Sequence, residues 1–209
     1  MSSLPAAPDG PVIVAATRFE WAVCRAATRD APLVHGGVAG VPRLTPGSMV
    51  LSVGLCGALR RDLAPGTLLV PRHVGIAGGR HPTDEICSMA LVGAARAQGI
   101  QPVEDDLVTT VTVVSGADRD RWAAEGYAAA DMETGLLVAA GYRVAAARVV
   151  LDGPDHELPA ALRGHQPWWH HPLSAVGSVR LAVPATRAVA RAARVAATAA
   201  AVLRDRVKS

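Results

Sequence analysis

A chain of 209 residues, half of them hydrophobic, is long enough to bury one substantial core, and a single domain is the natural count. Four Trp, two Tyr and one Phe are its only aromatics, so that core must be built from Ala, Val and Leu, as in helices packed closely on a sheet. The net charge of +3 comes with no basic cluster interleaved with aromatics, which excludes a nucleic-acid-binding signature.

Three cysteines without metal-type spacing fit a reduced, cytoplasmic setting. The opening residues show no basic segment followed by an apolar one, so no secretory signal is read. Residues 1–10 read as a flexible start and residues 11–209 as one domain. Pro11 to Ala16 is a first buried strand, Thr17 to Glu20 a turn, and Trp21 to Thr28 a helix. A polar turn directly after a first buried strand is a ligand-facing position in open α/β sheets. Leu33 and Val34 start a short strand that leads into His35-Gly36-Gly37. Ser48 to Val53 is a strand, followed by a glycine-containing loop, Gly54 to Ala58, where ligand and backbone can meet closely.

Thr67 to Val70 is the next strand, Gly75 to Pro82 a loop, and Asp84 to Gln98 a helix stopped at Gly99. Leu107 to Val114 is β-branched and reads as a strand, with Asp118 to Glu125 helical after it. This alternation of strands and helices predicts an α/β layered domain. From Ala128 the chain reads as a helix opened by Asp131-Met132-Glu133 and closed at Gly141, then a buried strand, Val144 to Leu151, ending at Asp152-Gly153-Pro154. Near the positive end of its helix Glu133 is expected to stay ionised, while Asp152 lies where open sheets place ligands. Two carboxylates in different environments can divide acid and acceptor roles. The same residues also suit plain capping and turn formation.

Four segments in this order, VIVAATRFEW, VLSVGLCGALRRDLAPGTLLV, AAADMETG and ARVVLDGPDHE, resemble the nucleoside phosphorylase and nucleosidase family. That family includes purine nucleoside phosphorylases and methylthioadenosine/S-adenosylhomocysteine nucleosidases. The DMET start, the VVLDGPDHEL run and the basic Ala-rich tail look most like its hopanoid-associated phosphorylases, which act on adenosylhopane.

The resemblance implies a three-layer α/β/α sandwich with a central mixed sheet, no organic cofactor and no metal, phosphate as a possible co-substrate, and a homo-oligomer. It makes Asp152 the acid that protonates purine N7, Glu133 the acceptor for the ribose hydroxyls and Met132 the residue under the sugar. Asp131 stands where the family usually has Glu, and Glu20 matches an acid that positions water in hydrolytic members. Leu55, Cys56 and Gly57 would line base and sugar. Phosphate-using members often carry Arg at the position of Ser52 and a hydroxyl at that of Leu55. Both are absent, which leaves Arg18, Arg60 and Arg72 as substitutes and phosphate or water as the nucleophile. Leu151 replaces the Ser that usually precedes the acid. The segment between Val34 and Ser48 is short for the family, which opens the 5′ side of the pocket to a bulky group.

The reading is thus cleavage of the N-glycosidic bond of a 5′-substituted adenosine, with adenosylhopane as leading substrate. A methylthioadenosine/S-adenosylhomocysteine nucleosidase and a non-catalytic nucleoside-binding module are the alternatives. Two features remain apart from it. His165 to His171 collects three histidines and Trp168-Trp169, suited to an apolar contact surface more than to a metal. The tail, residues 175–207, is a helix with Arg187, Arg191 and Arg194 on one face. Its polar face is either simply solvated or meets an anionic membrane surface, so peripheral membrane contact joins a nucleoside, plain or lipid-linked, as an expected partner.

Overall fold

The computed structural model describes residues 10–28, 31–76, 79–158 and 174–208, with side chains in the last segment from residue 182 onward. The histidine- and tryptophan-containing stretch around Trp168 and Trp169 lies outside these described residues.

Among the described residues nine strands form one mixed sheet. Its centre is the pair β3 (Met49–Ala58) and β9 (Arg143–Asp152), two ten-residue strands running parallel. On one side of β3 lies β1 (Val12–Ala15), with β2 (Leu33–His35) at the edge, both parallel. Toward its end β3 shifts register between Cys56 and Gly57 and pairs antiparallel with β8 (Ala129–Asp131). The sheet continues through β7 (Leu107–Thr109) to β5 (His73–Ile76) and β6 (Gly79–Pro82), while β4 (Leu68–Leu69) pairs with β9.

Strand periodicity of two divides the central strands between two helical layers. Ile13, Ala15, Leu51, Val53, Ala145 and Ala147 share a core with three helices: α1 (Arg18–Ala27), α2 (Glu85–Ala97) and α5 (Ser174–Lys208). The intervening Val12, Val14, Val50 and Val144 pack on the other face against Leu137 of α4 (Thr134–Ala139). Trp122 of α3 (Ala117–Ala124) joins Leu59, Val108 and Tyr127 nearby. The three-layer α/β/α architecture expected from the resemblance is therefore present.

Several elements differ from the sequence reading, each for a local reason. Gly75 to Pro82 is not a loop: β5 and β6 form an antiparallel pair, and Gly75 is needed there because a Cβ would strike the Tyr127 ring. Gly54 to Ala58 is not a loop either but the second half of β3. Leu107 to Val114 is a strand only as far as Thr109. The helix read as opening at Asp131 begins at Thr134, because Asp131 pairs as strand with Thr109 and then caps the helix, accepting from the Thr134 N–H (3.1 Å).

The Ala-rich tail is helical over the expected span, and its apolar face is core: Val189, Ala192, Ala193, Val195, Ala196, Ala199, Ala200 and Leu203 are buried. Small side chains let this helix lie close on the sheet. Its apolar face is thus turned to the protein interior, and among the described residues no helix is long and apolar enough to cross a membrane.

Gly135 fits so tightly at the start of α4 that a Cβ would collide with Ile76 and stand 2.9 Å from Thr109 Cβ. Gly135→Ala is expected to destabilise the fold by roughly 1–3 kcal/mol through overpacking. Gly93→Ala, in open space on the exposed face of α2, should stabilise by about 0.5–1 kcal/mol through helix propensity. Thermal melts of both variants check the pair of signs.

Candidate active site

The ends of β3, β8 and β9 and the start of α1 converge on a cavity of about 430 Å³. Its wall contains every site residue expected from the sequence: Glu20, Leu55, Cys56, Gly57, Asp131, Met132, Glu133 and Asp152. Thr17 and Phe19 border it from the start of α1, Val38 from the coil after β2, and Thr110, Thr112, Val113 and Val114 from the chain beyond β7. Arg119 of α3 also reaches the wall.

One end of this site is held by Arg148, in the middle of β9 and 1% exposed. On neighbouring β3 its register partner is Gly54, where any Cβ would collide with Arg148 Nη1 and Glu20 Oε1. The missing side chain makes room for the guanidinium. Arg148 Nη2 donates to Ser52 Oγ (2.7 Å) and Thr134 Oγ1 (3.1 Å) and ion-pairs with Asp131 Oδ2 at 3.0 Å. Nη1 lies 3.6 Å from Glu133 Oε2 and has no hydrogen-bond partner among the described residues.

The three carboxylates around this cation differ in how far they are committed. Asp131 accepts from Thr109 Oγ1 (2.6 Å) and from both the N–H and the hydroxyl of Thr134, besides pairing with Arg148. Glu20 closes a capping box at the start of α1, its Oε2 accepting from the Thr17 N–H and hydroxyl at 2.9 Å, while Oε1 accepts from the Leu55 N–H at 2.8 Å. Among the described residues Glu133 has only a long contact from the Ala39 N–H (3.4 Å) and the Arg148 charge. Burial pushes its carboxyl up to about 7, with Arg148 opposing and Asp131 and Glu20 adding to the rise. The expectation that Glu133 stays ionised under a helix dipole is therefore corrected. It stands at the N-cap of a six-residue helix, and desolvation outweighs that short dipole.

At the opposite end Asp152 closes β9, buried and ion-paired to Arg119, itself 2% exposed. Burial raises the Asp152 carboxyl above the usual range, while Arg119 and the Leu158 N–H pull it back. Gly57 forms the floor beneath the pair: a Cβ there would lie 2.9 Å from Asp152 Oδ1 and 3.2 Å from Arg119 Nη1. Burial drives the Cys56 thiol far up, so this side chain is a neutral wall and no nucleophile.

Arg18, Arg60 and Arg72 are not the cations of this site. Arg60 pairs with Asp62 and Asp105, Arg72 with Glu104, and none of the three lines the cavity. Arg119 lines it instead, and Arg148 lies behind the wall, paired with Asp131 and Glu133. A signal for Arg148 existed, since a lone arginine inside VAAARVVLD must be paired if that strand is buried. Arg119, within the polar stretch ADRDRW, carries no mark that separates it from solvated charges.

The fold has solved counterparts. Futalosine hydrolase of Helicobacter pylori superposes with a TM-score of 0.67 at 13% identity, covering 92% of this chain and 97% of that one. An S-adenosylhomocysteine nucleosidase from Streptococcus pyogenes gives 0.64 at 16% identity, over 93% and 98% of the two chains. The 5′-methylthioadenosine/S-adenosylhomocysteine nucleosidase of Neisseria meningitidis, in complex with methylthio-immucillin-A, gives 0.63 at 13% identity, over 90% and 98%. No protein-family model matches the chain, and no curated protein matches it in sequence. At such identities the likeness shows a shared fold.

The raised Glu133 carboxyl has a thermodynamic consequence. The folded state holds this proton more tightly than the unfolded chain, so its contribution to stability is complete below about 4.5 and is lost as pH rises through about 7. Thermal midpoints of the wild type should fall across that window relative to Glu133→Gln, which removes the titration. Parallel melts from pH 4 to 8 read the difference, and parallel curves would remove Glu133 as its source.

Proposed function

We propose that this chain hydrolyses the N-glycosidic bond of a 5′-substituted adenosine, releasing adenine. The observation that carries the reading is the placement, on one cavity, of a buried acid at one end and a carboxylate cluster around a buried arginine at the other. Breaking the C1′–N9 bond sends its electron pair to the base and leaves an oxocarbenium-like sugar. Asp152 donates a proton to N7, so that adenine departs neutral. Glu133 accepts from the ribose hydroxyls, a role that draws it to its ionised form when substrate binds, and Met132 packs beneath the sugar. Leu55, Cys56 and Gly57 form the wall along base and sugar. Asp131, with its acceptor positions filled, holds Arg148 and the start of α4 in place.

Charge favours water over phosphate as the nucleophile. Glu20, Asp131 and Glu133 surround the single cation Arg148, so a phosphate dianion would meet an excess of negative charge. Water needs only an acceptor to hold it, and Glu20 on the cavity wall supplies one. The names of the nucleosidases and the futalosine hydrolase that share the fold are in keeping with hydrolysis.

The mouth of the cavity is apolar. Phe19 and Val38 are 41% and 57% exposed there, with Val113, Leu151 and Leu158 beside them. This supports an apolar 5′ substituent, with adenosylhopane as the largest candidate. A small 5′-thioether, as in methylthioadenosine, is the second reading, favoured by the nucleosidases of the same fold.

Adenine release from adenosine, methylthioadenosine and long-chain 5′-alkyl adenosines, with and without phosphate, tests the reading. Free sugar at a phosphate-independent rate is expected, with kcat/KM rising with the length of the 5′ group. A sugar 1-phosphate would overturn hydrolysis, and adenosine binding without turnover would overturn catalysis. Asp152→Asn should lower kcat by about 10²–10⁴-fold with the fold retained by circular dichroism. Glu133→Gln should impair ribonucleosides more than their 2′-deoxy analogues.

A further inference from the structure

The pairing of Asp152 with Arg119 is not required by the scheme above, and burying it is costly. Both side chains are almost fully enclosed, at 3% and 6% exposure, and an apolar pair in such a place is often as stable or more so. Arg119 is nevertheless anchored on several sides. Nη1 donates to the carbonyl of Ala58 on β3, Nη2 donates to Asp152 Oδ2, and Nε faces Glu157 Oε1 at 3.7 Å without a hydrogen bond. Glu157 accepts in turn from the Gly116 N–H (2.8 Å) at the start of α3. The guanidinium is therefore placed to act through Asp152 and not directly on a substrate.

We infer that Arg119 is a positioning residue whose task is to receive the carboxylate that Asp152 becomes when it hands its proton to the leaving base. This rests on the reading of Asp152 as the acid. The step balances: the C1′–N9 electron pair goes to adenine, the Asp152 proton goes to N7, and Asp152 is left as an anion against Arg119. Solvent returns the proton before the next turnover. A cation at that position strengthens the acid and so promotes transfer, while lowering the pH up to which the acid keeps its proton. The other groups facing Asp152 are Glu157 from the turn after β9, which opposes Arg119, the Leu158 N–H, which acts with it, and the neutral thiol of Cys56 from β3. Gly57 lets the pair rest on bare β3 backbone, which fixes their contact.

The test is the pH dependence of adenine release by the full chain for wild type, Arg119→Met and Arg119→Lys. Arg119→Met should lower the plateau kcat by about tenfold or more and move the alkaline limb up by about one pH unit, since Asp152 then keeps its proton longer. Arg119→Lys retains the cation and should leave the limb near its wild-type position. A plateau that falls with an unmoved limb would reduce Arg119 to a structural strut and overturn the inference. Should Arg119→Met not fold, Arg119→Gln keeps a donor without the charge and reads the same limb. Near-normal turnover by Asp152→Asn would instead remove the parent reading, so the two failures are distinguishable.

Discussion

The site depends on one buried guanidinium. Arg148 sits in the middle of the central strand pair, opposite a glycine, where an apolar residue would be the ordinary choice. Removed from water it requires compensation, and that compensation comes from Glu20 on α1, Asp131 at the end of β8 and Glu133 at the entry to α4. Three elements far apart in the chain are tied to one point. The resulting cluster carries more negative than positive charge, a condition that the fold sustains by giving Asp131 and Glu20 backbone and hydroxyl donors and by leaving Glu133 with a raised carboxyl.

Local chemistry made this end of the molecule partly legible. Thr17 to Glu20, read as a turn before a helix at Trp21, is instead a capping box that starts α1 at Arg18, a local signal the reading passed over. The β-branched run ending in Asp152 could be read as a strand, and β9 ends at that residue. Other parts were not legible because their cause is non-local. Ala128-Ala129-Ala130 has every propensity for helix, yet β8 forms because the ends of β3 and β7 leave an open edge for it. The β5–β6 pair depends on Tyr127 covering Gly75, a contact between residues far apart in the chain. Arg119 looks like any solvated helix charge until Asp152 and Glu157 are placed beside it.

The long C-terminal helix shows the same limit from the other direction. Its arginine-bearing face and Ala-rich face suit an interfacial helix as well as a core helix, because periodicity reports amphipathicity and not the partner. Packing decides the matter. With Val189, Ala192, Ala196 and Ala199 buried against β3, β9, α1 and α2, the apolar face is already covered. A lipid-like substrate would instead meet the protein at the cavity mouth around Phe19 and Val38, on the side where the coil between β2 and β3 carries no helix.

The two ends of the cavity treat charge in opposite ways, and this difference is what one strand, β9, builds with two residues four apart. At Arg148 a cation is outnumbered by carboxylates, an environment that tolerates a developing positive sugar and a neutral nucleophile. At Asp152 a carboxylate faces a cation, an environment that tolerates the anion left after a proton is given away. Cleavage of an N-glycosidic bond separates charge in this sense along the same line, positive at the sugar and negative at the base. In the proposed reaction, walls arranged in that order would meet the separation without moving, because the guanidinium groups are locked by Ser52 and Thr134 at one end and by the Ala58 carbonyl at the other.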